Sequence, residues 1–383
     1  MKKVYFDNAA TTMVAPEVVK AMLPYFSDKY GNASEPHIWG EEANNAVEDS
    51  RETIAEFLGA NSSEIIFTSC STESINLAHK GLIEAINGKR IVTTPIEHKA
   101  VLEACKHTKA KIDYIPIDKY GVIKVKDVEA LLRPDTALVS IMYVNNEIGT
   151  IQPIREIGEM IRKYNLKHKT HIYFHTDATQ AIQYLECNVD CLGVDLLSFT
   201  GHKIHAPKGI GALYVRRDTP LIRQQDGGGQ ELGLRAGTEN VPYIVGLGKA
   251  IQMIKKVNKD KMSLLRDKLI DKICFEGKNP RPDVELTGHA CERVPHIASF
   301  VFKGLRGEDI VIALSQKGIA CASGSACTAG SVEPSHVLKA IGLTDEWAIG
   351  SVRFSLSKYS TLKEVLLVEK ELKMIVNRLR GKL

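Results

Sequence analysis

Seven short apolar runs alternate with helical stretches between residues 64 and 217, and this alternation limits the possible folds more than any other feature. In chain order the runs are EIIFTS, RIVTTP, KIDYIPI, ALVSIMYV, IYFHTD, DLLSFT and GALYVRR. Parallel strands need long crossover connections, which helices supply in right-handed βαβ units. The pattern therefore predicts an α/β fold whose mostly parallel sheet is covered by helices on both faces.

A second, smaller domain is predicted after this region, because 383 residues exceed what one core usually supports. Spaced apolar residues among lysines predict one long amphipathic helix from Gly246 to about Phe275, followed by a turn-rich break at 277–283. Beyond the break, the runs IASFVF and SVRFSL predict strands, and residues 307–318 and the C-terminus predict helices. We expect a large α/β domain at 15–250 and a small α+β domain formed by 1–14 and 251–383.

The composition excludes several classes of protein. The 50 Lys and Arg residues nearly balance the 46 Asp and Glu residues, and the net charge of +4 is spread along the chain. The sequence has no basic block of the kind that binds nucleic acid and no apolar run long enough to cross a membrane. The N-terminus MKKVYFDNAATT becomes polar too early for a signal peptide, and eight scattered cysteines do not resemble a secreted disulfide framework. These features predict a cytoplasmic protein with reduced thiols that binds neither nucleic acid directly nor membranes.

Asp177 and Lys203 follow two neighbouring predicted strands. Asp177 ends the run IYFHTD, and Lys203 comes shortly after DLLSFT. The carboxyl ends of strands in an open α/β sheet are where ligands bind, and pyridoxal phosphate needs a lysine amine and an acidic partner for its ring nitrogen. For an arbitrary Asp and Lys, a simple ion pair or contact with water is the better explanation. Gln180, Thr200 and His202 add polar groups at the same edge, which favours a cofactor site.

Three more predicted strands end in polar residues. Ser71 and Thr72 follow EIIFTS at the start of a predicted helix, whose free N–H groups suit a phosphate, although such residues are usually simple caps. His98 follows RIVTTP, and Asn146 follows ALVSIMYV. A lone His or Asn in a turn would mean little, but the convergence of these strand ends suits a flat polar cofactor. The expected contacts are stacking by His98, hydrogen bonds of Asn146 and Gln180 to the ring substituents, and a protonated ring nitrogen that donates to Asp177.

Two loop segments complete the candidate regions. Residues 227–240 (GGGQELGLRAGTEN) contain Thr238 and would either approach a phosphate by backbone or form a plain connection. Residues 320–330 (ACASGSACTAG) lack packing side chains, so we expect a mobile loop that suits a nucleophile. Cys327 lies inside this loop, whereas Cys321 follows an apolar run and is expected to be buried and poorly reactive. Both thiols stay candidates, and the reacting one needs a proton acceptor such as His98.

The cysteines offer no recognisable metal site. Cys187 and Cys191 lie near His171 and His175, but this spacing matches no strong zinc pattern. We therefore predict no intrinsic metal.

Ten motifs occur in order along the chain: YFDNAATT (5–12), YGNAS (30–34), TSCSTES (68–74), EHKAV (97–101), VNNEIG (144–149), HTDATQ (175–180), SFTGHK (198–203), GGGQELGLRAGTEN (227–240), SGSACT (323–328) and VRFS (352–355). Together they resemble the motifs of group I cysteine desulfurases of the NifS/IscS type, which are fold-type I pyridoxal-phosphate enzymes. The resemblance spans essentially the whole chain. One departure is Cys70-Ser71, where the family usually has Gly-Ala.

This resemblance implies pyridoxal 5'-phosphate as the cofactor and a role for each candidate residue. Lys203 would form the Schiff base with the cofactor, and Cys327 would take the substrate sulfur as a persulfide. Arg353 and Asn146 would bind the substrate, with the guanidinium facing its carboxylate. The other implied cofactor contacts are Ser71, Thr72, Thr200 and His202 at the phosphate, Asp177 at the ring nitrogen, Gln180 and Asn146 at the ring edge, and His98 on the ring face. Thr238 would reach the phosphate of a neighbouring subunit, which implies a homodimer.

The implied activity is that of a cysteine desulfurase, a transferase that converts L-cysteine to L-alanine and passes sulfur from Cys327 to an acceptor. The resemblance leaves the acceptor open: an iron–sulfur scaffold protein, with Cys327 as a ligand of a transient cluster, or a partner in tRNA or cofactor thiolation. Two other functions stay open, namely a selenocysteine lyase or aminotransferase on the same fold, and a catalytically silent sulfur-carrier docking protein. The Cys327 loop disfavours transamination, which needs no thiol, and the presence of Lys203 disfavours the silent carrier.

Overall fold

The structure is a computed structural model that describes residues 3–324 and 333–381. Its strands are β1 (Val4–Tyr5), β2 (Ile65–Thr68), β3 (Arg90–Thr93), β4 (Lys111–Tyr114), β5 (Thr136–Ser140), β6 (Tyr173–Asp177), β7 (Leu196–Thr200), β8 (Gly211–Val215), β9 (Phe275–Glu276), β10 (Asn279–Pro280), β11 (Val284–Leu286), β12 (Ile297–Phe302), β13 (Ile319–Ala320) and β14 (Ser351–Ser355). Its α-helices are α1 (Pro16–Met22), α2 (Pro24–Ser27), α3 (Ile38–Leu58), α4 (Ser71–Asn76), α5 (Leu82–Ile86), α6 (Lys99–Lys106), α7 (Val125–Leu131), α8 (Ile154–His168), α9 (Val189–Leu192), α10 (Val241–Ile254), α11 (Lys259–Cys274), α12 (Gly307–Gln316), α13 (His336–Ala340), α14 (Asp345–Ala348) and α15 (Leu362–Leu379). A π-helical segment, Leu77–Gly81, joins α4 to α5.

Within the described residues, seven strands form the main sheet in the order β2-β8-β7-β6-β5-β3-β4. β8 runs antiparallel to its neighbours β2 and β7, and the remaining neighbours pair in parallel. Every residue of β2, β5, β6, β7 and β8 is buried, as expected for apolar strands with helices on both faces. The predicted mostly parallel α/β sheet is confirmed.

A second sheet lies in the C-terminal part of the chain. It contains β11, β12 and β14 in antiparallel pairing, and β12 is buried at every residue. The N-terminal strand β1 pairs in parallel with β13, and Asp7 forms a bridge to Ser355 at the end of β14. The division into 15–250 and 1–14 plus 251–383 stays a prediction, and the pairing of β1 with β13 supports it.

The prediction of one long helix from Gly246 to Phe275 is wrong. The structure has two helices there, α10 and α11, separated by residues 255–258. The side chain of Asn258 accepts a hydrogen bond from the backbone N–H of Lys261 and so caps the start of α11. This side-chain bond replaces a bond of a continuous helix, and Asn is more favourable at an N-cap than inside a helix. The break predicted at 277–283 begins with the turn of a short antiparallel hairpin, in which β9 immediately precedes the break and β10 lies within it.

The longer helices α3, α8 and α15 are amphipathic. In α3, for example, Val47, Ile54 and Leu58 are buried, while Glu41 and Glu52 are exposed. Across residues 3–324 and 333–381, no helix combines the length and the apolar character needed to cross a membrane.

Candidate active site

A cavity of about 300 Å³ lies at the carboxyl ends of the main-sheet strands. Apart from Thr238, every predicted site residue that the structure describes lines this cavity: Ser71, Thr72, His98, Asn146, Asp177, Gln180, Thr200, His202, Lys203 and Arg353. Thr238 lies in a separate cavity beside Phe67 and Asn240. Cys327, the predicted nucleophile, lies outside the described residues.

The sheet explains why residues so distant in sequence meet. β6 ends at Asp177, and β7 ends at Thr200 just before Lys203. After β3 the chain reaches His98 at the start of α6, and after β2 it reaches Ser71 at the start of α4. Because these strands are parallel to one another, their carboxyl ends and the residues that follow share one edge of the sheet.

Lys203 contacts a wall of the cavity that the sequence did not predict. Its Nζ donates hydrogen bonds to the backbone oxygens of Ala9 and Ala10, both at 2.6 Å. The next residues of this N-terminal segment hold His202, whose backbone oxygen accepts from Thr12 N at 2.8 Å and whose Nδ1 lies 3.2 Å from Thr11 Oγ1. The segment belongs to the motif YFDNAATT, but the motif contains no local signal that places it at this site.

Asp177 is oriented by its own turn. Its Oδ1 accepts a hydrogen bond from Thr179 N at 2.9 Å, and Thr179 Oγ1 donates to Ser71 Oγ at 3.0 Å. Asp177 is 7% exposed and Ser71 is also buried. These bonds connect the carboxylate at the end of β6 with the first turn of α4.

His98 is the N-cap of α6. Its Nδ1 accepts a hydrogen bond from Ala100 N at 3.1 Å, so a neutral ring carries its proton on Nε2. Loss of water contact lowers the pKa of His98, the charge of Asp177 opposes this shift, and the charge of Lys203 adds to it. The ring is therefore neutral at pH 7.

Glu97, next to His98, is a buried carboxyl group that has no local signal of a site in the sequence. It accepts hydrogen bonds from Thr94 Oγ1 at 2.7 Å and from Met142 N at 3.0 Å. Its backbone oxygen lies 3.0 Å from His336 Nε2. Burial raises the pKa of Glu97 to about 8. These contacts tie the turn that carries His98 to the end of β5 and to the start of α13.

Gln180 is held at both ends of its amide. Nε2 donates to Ala9 O at 3.0 Å, and Oε1 lies 3.0 Å from His296 Nε2. The His296 ring stacks on Tyr184 with a centroid distance of 4.2 Å, and burial lowers its pKa well below 6.5. His296 was not predicted, because it precedes β12 and has no local signal of a site.

Arg353 enters the cavity from β14. Its Nη1 donates to Asn146 O at 2.8 Å, and its Nη2 forms an ion pair with Asp7 Oδ1 at 2.9 Å. Asn146 also lines the cavity. Asp7 was quoted within a motif but was not predicted as a site residue.

The glycine-rich segment is anchored to the main sheet. Arg51 forms a two-bond ion pair with the buried Glu231, at 2.8 and 3.1 Å, and Glu231 also accepts from Phe67 N at 2.8 Å. Arg235 Nε donates to Glu73 Oε1 of α4 at 2.9 Å. Glu231 adopts a positive φ of 45°, which a non-glycine residue keeps only when its surroundings hold it. These bonds favour a fixed segment over a plain flexible connection.

Cys321 is buried at the end of β13, as predicted. It is 7% exposed, and burial, followed by the charge of Asp7, raises its pKa to about 12. A thiol with such a pKa is almost entirely protonated at pH 7 and is a poor nucleophile. Cys70 lines the cavity beside Ser71.

These residues fit pyridoxal phosphate. The cavity volume is typical of a small-molecule site, and its lining combines a lysine amine, a carboxylate and the hydroxyls of Ser71, Thr72 and Thr200. A Cβ at Gly211 would lie 2.8 Å from the backbone carbon of Cys70, so the glycine lets β8 pack closely under the turn that leads to Ser71. Within the described residues, no group of three or more His, Cys, Asp or Glu side chains is arranged to hold a metal ion.

Comparison with known proteins supports the same cofactor chemistry. Residues 4–368 match the aminotransferase class-V family. A cysteine desulfurase IscS from Dictyoglomus turgidum is 44% identical over 99% of this chain and 96% of that relative. A solved structure of a NifS-like protein has a TM-score of 0.89 and 38% identity, and the match covers 99% of this chain and 100% of that one. Another solved structure, SspA in complex with cysteine, has a TM-score of 0.79 and 38% identity over 94% of this chain and 100% of that one.

The predicted fold-type I architecture, cofactor and activity are confirmed by these similarities. The chain belongs to the aminotransferase class-V family and, within it, to the cysteine desulfurases, which use pyridoxal phosphate.

Proposed function

We propose that this desulfurase converts L-cysteine to L-alanine and transfers the substrate sulfur to Cys327. The reaction balances as L-cysteine plus the Cys327 thiol giving L-alanine plus a Cys327 persulfide. The observation that carries the assignment of residues is one cavity lined by the Lys203 amine, the Asp177 carboxylate and the Arg353 guanidinium. These groups suit an amino acid bound at its amine and its carboxylate.

Pyridoxal phosphate, when bound, supplies a sink for the negative charge that develops at the substrate α-carbon. Lys203 would hold the cofactor through Nζ and then, once displaced by the substrate amine, accept the α-proton at the same atom. Asp177 would keep a proton on the pyridine nitrogen, and its bond from Thr179 N supports the orientation needed for this contact.

The phosphate would lie against the hydroxyls of Ser71, Thr72 and Thr200 and against His202. Burial, followed by the charge of Lys203, lowers the pKa of His202 to about 4. His202 is therefore neutral at pH 7 in the chain without cofactor, and in the proposed site it would donate a hydrogen bond to the phosphate. Gln180 and Asn146 would bond to the ring edge and the substrate region.

His98 would stack on the ring. With Nδ1 occupied by Ala100 N, its Nε2 carries a proton, so a donor role at Nε2 has more support than removal of the thiol proton there. A neutral His98 at pH 7 suits both stacking and donation.

We also propose a homodimer. Thr238 does not line the cavity of its own chain, although it follows a firmly anchored segment. Next to that segment, a groove of about 710 Å³ runs between Ala33, Ser34 and the exposed Leu232. Leu23, Phe26, Tyr30, Ile38 and Trp39 are exposed within one stretch of the chain, and we call this set of residues the 23–39 patch. A second copy is the partner we infer for this patch, because large exposed apolar residues of this kind mark association surfaces.

The sulfur acceptor is proposed to be an iron–sulfur scaffold protein, since relatives bear the name IscS. In such a complex Cys327 would also be placed to ligate a transient cluster, and tRNA or cofactor thiolation is the alternative use of the same persulfide. The predicted cytoplasmic location stays a prediction.

The experiment that tests the assignment compares two cysteine variants. Cys327→Ser should bind cofactor and L-cysteine but produce less than about one per cent of the wild-type alanine, because a serine hydroxyl is not a sulfur acceptor. Cys321→Ser should retain most activity, because the Cys321 thiol is buried and its pKa is about 12. Brief treatment with L-cysteine followed by fragment mass spectrometry should place one added sulfur on Cys327. Added sulfur on Cys321, or an inactive Cys321→Ser, would reverse the two roles.

A further inference from the structure

We propose that Asp7 is a positioning residue that orients the Arg353 guanidinium for the carboxylate of the substrate. The inference rests on the proposed function, in which Arg353 binds that carboxylate, and it names the groups that make Arg353 selective. It also gives the N-terminal segment before β2 a part in substrate recognition.

The guanidinium is held at both of its terminal nitrogens. Nη1 donates to the backbone oxygen of Asn146 at 2.8 Å, and Nη2 donates to Asp7 Oδ1 at 2.9 Å. Each terminal nitrogen carries two hydrogens, so each keeps one N–H for another acceptor. Two N–H groups held in one plane suit a carboxylate, which binds a guanidinium through two parallel hydrogen bonds.

Asp7 is itself fixed by backbone pairing with β14, the strand that carries Arg353. Asp7 forms a parallel bridge to Ser355, and Ser355 N donates to Phe6 O at 2.7 Å. The side chains of Asp7 and Arg353 are 22% and 11% exposed, so water screens this pair less than a surface ion pair. The carboxylate of Asp7 is therefore a rigid acceptor rather than a mobile surface charge.

The same segment contacts the group that would hold the other end of the substrate. Ala9 and Ala10, two and three residues after Asp7, accept hydrogen bonds from Lys203 Nζ. Residues 7–10 thus touch both Lys203, the proposed site of the substrate amine, and Arg353, the proposed site of its carboxylate. This short segment relates the positions of the two groups that recognise an α-amino acid.

Asp7 could instead weaken substrate binding, and the two effects predict opposite changes in affinity when Asp7 is removed. A fixed carboxylate beside Arg353 would compete with the substrate carboxylate if Arg353 had to leave it before binding. A positioning role predicts weaker binding when Asp7 is removed, whereas competition predicts tighter binding.

The test uses two probes that differ in one group. L-Alanine and ethylamine share the amine, but ethylamine lacks the carboxylate, so the ratio of their dissociation constants measures carboxylate recognition. Both would be titrated against the holoenzyme by the absorption of the bound cofactor. Asp7→Ala should lower the preference for L-alanine about tenfold or more and leave ethylamine binding within about twofold, since a lost hydrogen bond to a charged group is of that size.

Asp7→Asn separates orientation from charge. An asparagine oxygen still accepts from Nη2, so this variant should keep at least about half of the wild-type preference. Asp271→Ala, which removes an exposed carboxylate from α11, is the charge-matched control and should behave like the wild type. In steady-state assays, Asp7→Ala should raise the KM for L-cysteine more than it lowers kcat.

Three results would overturn the inference: an unchanged preference in Asp7→Ala, a higher preference in either variant, or an Asp7→Asn as weak as Asp7→Ala. Arg353→Gln separates this inference from the proposed function. If Arg353→Gln removes the preference and Asp7→Ala does not, the role of Asp7 is wrong and the Arg353 site stands. If Arg353→Gln also keeps the preference, the proposed carboxylate site is itself wrong.

Discussion

Backbone atoms hold most of the charged and polar side chains in the cavity. Lys203 bonds to the carbonyls of Ala9 and Ala10, and the Asp177 carboxylate accepts from Thr179 N. Backbone donors and acceptors have positions that the fold determines, so they orient a side chain without a second mobile group. At the scale of single residues, the polar side chains of the cavity are therefore already oriented before a charged ligand binds.

The prediction that belongs to this scale concerns Lys203. Lys203→Ala should reduce alanine production from L-cysteine to background and remove the visible absorption of covalently held cofactor, because in the proposed mechanism Nζ is both the point of attachment and the α-proton acceptor. Absorption spectra and an alanine assay check it. Lys208→Ala, which changes an exposed lysine five residues away, is the control and should keep both. A Lys203→Ala protein whose cofactor can still be fixed by borohydride would contradict the assignment.

At the scale of secondary-structure elements, a buried chain of hydrogen bonds connects the main sheet with the helical segment that starts at Ser71. His79 Nδ1 lies 2.9 Å from Ile75 O and must donate to it, so Nε2 accepts from Ser140 Oγ at 2.9 Å. Ser140 in turn accepts from His175 Nδ1 at 2.9 Å, and His175 Nε2 accepts from Ser198 Oγ. His79 lies in the π-helical segment Leu77–Gly81, so this chain fixes the irregular turn against β5, β6 and β7.

His79 carries the prediction for this scale. Burial lowers its pKa from 6.5 to about 4, so folding favours the neutral ring. The stability that this preference contributes is fully present above pH 6.5 and is lost as the pH falls toward 4. At pH 7, His79→Leu should lower the free energy of unfolding by about 1–3 kcal/mol, because Ser140 loses its acceptor.

Urea unfolding at several pH values checks this prediction. The wild-type free energy of unfolding should lose roughly 3 kcal/mol from this group between pH 7 and pH 4, and His79→Leu should lose none of it. The advantage of the wild type at pH 7 should therefore disappear or reverse by pH 4. His107→Leu, at the exposed end of α6, is the control and should show no comparable narrowing. A difference that stays constant with pH would mean that His79 is not held neutral by the fold.

At the scale of the whole molecule, the proposed homodimer makes the 23–39 patch an interface. Ile38 is 71% exposed in the single chain, and Trp39 and Tyr30 are also exposed. Trp39→Glu should therefore yield a monomer with little activity, because a buried unpaired charge opposes association and Thr238 would no longer meet a second cavity. Light scattering at assay concentration, together with activity, measures both effects.

Leu166→Glu is the matched control for this variant. Leu166 is 83% exposed on α8, outside the patch, and its replacement should leave an active dimer. A stable, active monomer of the wild-type protein would rule out the dimer. A Trp39→Glu protein that remains an active dimer would instead place the interface elsewhere.

Local sequence patterns determined where strands occur along the chain and which polar residues follow them. Alternating apolar runs predicted the strands of the main sheet, and polar residues after those runs predicted Asp177, Lys203, His98 and Ser71 at one edge. The family motifs added Arg353, and they implied the role of sulfur acceptor for Cys327, which its small-residue loop had already made a candidate. Such features lie within a few residues of one another, so periodicity and chain order are enough to find them.

Contacts between distant parts of the chain were decided by tertiary structure alone. Lys203 meets Ala9 across 194 residues, and Asp7 meets Arg353 across 346 residues. The break between α10 and α11 likewise depends on a cap at Asn258 that competes with a continuous apolar face. Such contacts have no periodic signal, because they depend on how the sheets bring separate segments together. The sequence therefore determined which side chains line the cavity, and the packing of the N-terminal segment against β14 and Lys203 decided how they are held.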